Sequence, residues 1–197
     1  MSKKLFWMCS ALIIFLIVFD ISYKPNSSKS IQNTGVGEAL IGGPFTLTSH
    51  KNVTVNDSDF RGKFMLVSFG FSNCPEVCPT TLLTITNLMN NIGSDSEKIA
   101  PIFITVDPER DTVEQLAKYM ENFHPSITAL TGSKEQIDGV LSVYRVYAEK
   151  IEMEGMEGYM MDHSAYIYLM DKEGKYLTHF PYNISPDELK EKVLQYL

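Results

Sequence analysis

Short, nearly unbroken apolar runs alternate along this chain with segments whose apolar residues recur every three or four positions. Phe64–Phe71 (FMLVSFGF) and Ile99–Val106 read as strands buried on both faces. Between them, Thr80–Asn91 sets Leu82, Leu83, Ile85, Leu88 and Met89 at helical spacing. A second helix, capped by Asp111 or Thr112, runs to about Phe123 with Val113, Leu116, Ala117 and Met120 on one face. Ile127–Leu130 is a short strand, and Ser133 caps a helix that extends to Tyr144. Ala165–Met170 and Lys175–Phe180 form a hairpin around Asp171-Lys172-Glu173-Gly174, and a last helix starts at Ser185 with Pro186 at its first position. Upstream, Phe45–Thr48 and Val53–Val55 flank a turn at His50–Asn52 and predict another hairpin. The order hairpin, βαβα, β, α, ββ, α predicts an α/β domain with a mixed sheet flanked by helices.

The first 40 residues do not follow this pattern. Lys3 and Lys4 precede an apolar stretch from Leu5 to Phe19, closed by Asp20. With no small-x-small cleavage site after it, the stretch reads as an uncleaved signal anchor, a transmembrane helix over residues 1–23. Residues 24–40, rich in Ser, Asn and Gly, read as a flexible tether to a domain over 41–197. The two lysines stay inside and the domain crosses. The leader is neither Arg-rich nor amphipathic, so it does not resemble a mitochondrial targeting sequence. The expectation is a single-pass protein of a bacterial inner membrane, its domain in the periplasm.

A net charge of −7 argues against nucleic acid as a partner. Three cysteines are too few for a disulfide scaffold, and Cys9 falls in the leader. Cys74 and Cys78 follow the first buried strand and open the next helix, which is the thioredoxin arrangement. A helix N-terminus favours thiolate, the form that attacks disulfides and binds metal. A spacer of three residues, one more than in thioredoxin, leaves room for a metal between the sulfurs. A structural disulfide here would staple little. Peroxidase chemistry of the related peroxiredoxin type lacks its threonine, since Phe71 stands three residues before Cys74. Of the four histidines, His50, His124 and His179 read as solvated or exposed. His163 reads as lying in the loop before the strand Ala165–Met170, which in thioredoxin-like chains faces the dicysteine. On spacing alone it is either a metal ligand or a hydrogen-bonded core histidine.

The run Phe69-Gly70-Phe71-Ser72-Asn73-Cys74-Pro75-Glu76-Val77-Cys78-Pro79 closely resembles the signature of the Sco/SenC family of copper proteins, which assist cytochrome oxidase assembly. The resemblance continues in Thr105-Val106-Asp107-Pro108-Glu109-Arg110-Asp111-Thr112, in Leu130-Thr131-Gly132, in Tyr144-Arg145-Val146-Tyr147 and in Asp162-His163-Ser164. It implies a thioredoxin-like fold and a copper site made by Cys74, Cys78 and His163. Glu76 stands where the family often has Asp, a conservative change that leaves one carboxylate beside the site, and Thr80-Thr81 stand where acidic residues are common. Two thiolates and an imidazole suit Cu(I) and accommodate Cu(II) with an added ligand, whereas structural zinc sites have four protein ligands. The implied function is a metallochaperone that exchanges ligands with cytochrome c oxidase subunit II and receives copper from an upstream donor. The alternative is a thiol–disulfide oxidoreductase that reduces that subunit's cysteines, with Cys74 and Cys78 as its redox-active pair. Asp162 either orients the site or caps the turn. Asp107 reads as a turn residue paired with Arg110 rather than a partner of the site. Met153, Met156, Met160 and Met161 precede His163 and are soft donors able to assist copper transfer.

Overall fold

The computed structural model describes residues 40–152 and 158–197; the expected anchor, nearly all of the tether, and Met153 and Met156 lie outside them. Among the described residues, no helix is long and apolar enough to cross a membrane.

The hairpin β1 (Thr46–Ser49) and β2 (Thr54–Asn56) precedes the buried strand β3 (Phe64–Gly70) and helix α1 (Val77–Asn91). Strand β4 (Ile99–Thr105), helix α2 (Val113–Met120), strand β5 (Thr128–Thr131) and helix α3 (Lys134–Tyr144) follow. The chain ends with β6 (Ala148–Glu152), β7 (Tyr159–His163), β8 (Tyr166–Met170), β9 (Tyr176–Pro181) and α4 (Pro186–Leu194). The main sheet has seven strands in the order β2-β1-β5-β4-β3-β8-β9. Strands β3, β4 and β5 run parallel, and β8 pairs antiparallel with β3.

Strand alternation divides the core between the two faces of the sheet. Leu66, Phe103, Ile167 and Leu169 point toward α1, α2 and α4, against Leu82, Leu116 and Leu189. Met65, Val67, Phe69, Ile104 and Tyr168 point toward α3, against Ile137, Val140 and Tyr144. Burial on both faces explains why β3 and β4 carry continuous apolar runs. Thr112, not Asp111, caps α2, accepting the Gln115 N–H at 3.2 Å.

The expected placement of His163 needs correction. His163 is not in a loop before a strand; it is the last residue of β7, which pairs with β6 in a separate two-stranded sheet. The register pairs Ala148 with His163 and Lys150 with Met161. Strand β6 is exposed over Glu149–Glu152, so it carries no apolar alternation that would mark it as a strand.

Candidate metal centre

Strand β3 ends at Gly70, and its parallel neighbour carries the chain away at the same edge, where Val106 N–H donates to the Gly70 carbonyl at 2.8 Å. Phe71 then buries its ring, and the loop from Ser72 returns into α1. Asp111 holds this loop. Its fully buried carboxylate accepts Ser72 N–H at 3.0 Å, Ser72 Oγ–H at 2.5 Å and Thr105 Oγ1–H at 2.6 Å. Burial raises the Asp111 pKa against the pull of the Ser72 and Thr105 hydrogen bonds.

The N-cap residue of α1, Glu76, makes no side-chain cap bond. A sulfur takes that role: Cys78 N–H donates to Cys74 Sγ at 3.4 Å. The hydrogen bond from the Cys78 thiol, and the N–H groups of Cys78, Glu76 and Val77, lower the Cys74 pKa to about 5 despite partial burial. Cys78 moves the other way. It donates its proton to Cys74, is only 2% exposed, and lies beside the Cys74 charge, so its pKa is raised. The pair is therefore split into a ready thiolate and a held thiol.

Gly70 makes room for the buried member. A Cβ there would stand 2.8 Å from Cys78 Sγ and 2.9 Å from the Phe103 ring. Gly70→Ala should therefore destabilise the reduced protein by about 1–3 kcal/mol through overpacking. Urea unfolding at equilibrium measures this, and an unchanged midpoint would refute the packing.

His163 comes from the opposite side. Its Nε2 lies 3.6 Å from Cys78 Sγ, and its ring meets Phe71 edge-on at a centroid distance of 6.0 Å. Its Nδ1 is 3.0 Å from the Ser164 carbonyl. A carbonyl only accepts, so Nδ1–H donates to Ser164 and Nε2 is the ring nitrogen turned toward the sulfur. This is the ring orientation a metal requires, with the backbone as the orienting partner in place of Asp162.

Strand β7 is fastened at both ends. Ser164 N–H donates to the Tyr147 carbonyl at 3.0 Å, and Tyr147 N–H donates to Ser164 Oγ at 3.1 Å. At the other end, Tyr159 O–H donates to buried Asp107 at 2.8 Å, and Arg110 Nη1 donates to the Tyr159 carbonyl at 2.8 Å. The Arg110 guanidinium lies 3.8 Å over the Tyr159 ring and is paired with Asp107. Asp107 is thus paired with Arg110 as its sequence context suggests, and it also anchors the histidine strand.

A cavity of about 330 Å³ opens over the site, with Cys74, Met160, Met161 and His163 in its walls. His50, His124 and His179 do not line it. His50 is not simply solvated, since its Nδ1 accepts the Ala129 N–H at 3.1 Å. Metal–ligand bonds of about 2.0 Å to nitrogen and 2.3 Å to sulfur, opened to a trigonal angle, separate the two donors by roughly 3.7 Å. The observed 3.6 Å between Nε2 and Cys78 Sγ fits one shared ion. Among the described residues, no three His, Cys, Asp or Glu side chains are already gathered into a coordination sphere. The Cys74 sulfur is engaged with the end of α1 instead.

The family model described as SCO1/SenC matches residues 33–197. The chain belongs to the SCO1/SenC family. It is 42% identical over 152 residues to an SCO2-like protein of Rickettsia prowazekii, covering 77% of this chain and 74% of that protein. It is 37% identical over 168 residues to the mitochondrial SCO1 homologue of mouse, covering 84% of this chain and 59% of the relative. The SCO1/SenC family thus has both bacterial and mitochondrial members. The structure of Bradyrhizobium japonicum ScoI with copper bound matches with a TM-score of 0.74 and 41% identity, over 80% of this chain and 99% of that one. BsSco, described as a Sco-family cytochrome c oxidase assembly protein with a disulfide switch, matches with a TM-score of 0.62 and 26% identity, over 78% of this chain and 91% of its own. The thioredoxin-like α/β fold expected from the strand–dicysteine–helix order is the fold of these Sco proteins.

Proposed function

We propose that this chain is a copper chaperone for cytochrome c oxidase, holding one copper ion through Cys74, Cys78 and His163. The observation that carries the reading is His163 Nε2 facing Cys78 Sγ at the separation of two ligands on one metal, with Nδ1 engaged by the Ser164 carbonyl. Support comes from the copper-bound Sco structures of similar fold. Copper is the cargo. At neutral pH, Cys74 offers a thiolate at once, Cys78 gives up its proton as the ion arrives, and His163 closes the third side. The ion draws Cys74 off the end of α1. Hand-over reverses these steps, as the incoming thiolates of subunit II displace the two sulfurs in turn. An upstream donor fills the site. The segment 1–23 tethers the domain to a bacterial inner membrane on its periplasmic side.

A second reading, thiol–disulfide exchange that reduces the target's cysteines, is favoured by the split between an activated Cys74 and a protonated Cys78. Here Cys74 attacks and Cys78 resolves. Mixing the reduced chain with Cu(I) and then with a soluble subunit II domain separates the two readings. A chaperone loads with one copper per chain and passes it on. A protein that reduces the target's disulfide without carrying copper acts only as a reductase.

A further inference from the structure

We propose that Met160 and Met161 form a thioether relay through which Cu(I) reaches and leaves the cysteine–histidine cradle. The inference rests on the copper reading above and adds a route to it. Cys78 is 2% exposed and is absent from the cavity wall, while Cys74, His163 and both methionines line it. An ion arriving through this opening therefore meets thioether, thiolate and imidazole before it reaches the inner sulfur. Met161 shares a strand face with His163 two residues on. Both methionines are half-buried and, like Cys74, pack against the cluster that contains Phe71 and Cys78. That packing fixes both residues in the cavity wall.

Thioether is a soft, neutral donor that favours Cu(I). It binds without releasing a proton and cannot be lost to a disulfide. It is weaker than thiolate, as a passing ligand must be. In the exchange, one copper–thioether bond forms as a copper–donor bond breaks, and when the ion moves inward a copper–thiolate bond replaces the thioether while the Cys78 proton goes to solvent. The metal stays Cu(I) throughout.

The test compares the unchanged chain with Met160→Leu/Met161→Leu, in which leucine conserves volume and apolar packing. Stopped-flow mixing with a coloured Cu(I) chelator gives the loading and unloading rates, and competition at equilibrium gives the affinity. The relay predicts that both rates fall about tenfold while the affinity changes by less than about threefold, because a passing ligand lowers the barrier for both directions. Unchanged rates overturn the relay. A second measurement does not depend on the double variant folding. Selenomethionine-labelled Cys78→Ser chain, loaded with Cu(I), should show copper in the first shell at the selenium edge, and the signal should vanish with either methionine-to-leucine single change that removes the bound thioether. A selenium edge without copper overturns the relay. If the unchanged chain takes up no Cu(I), the copper reading fails as well; if it binds copper and only the rates or the selenium edge disagree, the relay alone fails.

Discussion

Replacing His163 with alanine is expected to weaken Cu(II) binding by about a thousandfold, near 4 kcal/mol, and Cu(I) binding by only about tenfold. The difference follows from the metals. Cu(I) is content with two thiolates, whereas Cu(II) prefers a fuller sphere with nitrogen donors, and the imidazole is the nitrogen that this site supplies. Without it, the sulfur-to-copper charge-transfer absorption of the Cu(II) form should be lost. Thiol–disulfide exchange should stay within about threefold, because exchange depends on the thiolate of the attacking cysteine and that thiolate is stabilised from α1. Titration by competition, with exchange measured on a small disulfide, checks both halves. Equal losses of Cu(II) binding and of exchange would mean that His163 supports the cysteines and is not a ligand.

The cysteines themselves should differ in reactivity by at least about a thousandfold near pH 6, with Cys74 modified first. The sign is set by the direction of each shift. Cys74 has its pKa lowered to about 5, so its thiolate persists as pH falls and is half lost only near that value. Cys78 is shifted up and buried, so it stays a thiol across the same range. Alkylation of the reduced, metal-free chain, followed by mass spectrometry of peptides, should give a Cys74 rate that is flat from about pH 8 to 6 and then declines. Lower intrinsic nucleophilicity accompanies the low pKa and limits the advantage over an ordinary exposed thiol to about tenfold at pH 6. A Cys74 rate that rises through pH 8–9, like that of a free thiol, would remove the proposed capping of α1 by sulfur.

How far this site is legible in the sequence depends on what kind of interaction builds each part. Strands β3 and β4 announce themselves because burial on both faces demands an unbroken apolar run, and the cysteine pair is placed by following one of them. Strands β6 and β7 do not. Their residues are largely exposed or half-buried, and the pairing spans a Met- and Glu-rich stretch without period, so His163 reads as loop. What holds β7 is a set of polar and cation–π contacts among Tyr159, Asp107 and Arg110, brought together from segments about 50 residues apart that leave no periodic trace. Asp111 is a similar case. Its sequence context suggests a helix cap, yet its carboxylate is spent on the Ser72 loop and Thr112 takes the cap. Gly70 leaves a faint signal, a glycine ending a strand of large apolar residues just before a cysteine motif. Such a glycine marks close approach of another group, here the Cys78 sulfur.

The three ligands meet in one sphere or they do not, and copper K-edge X-ray absorption of the reduced chain carrying one Cu(I) decides it most directly. Two sulfurs near 2.3 Å and one nitrogen near 2.0 Å, with imidazole scattering that disappears in His163→Ala, is the expected spectrum. A spectrum with sulfur alone, identical in the unchanged chain and in His163→Ala, would contradict the proposed centre.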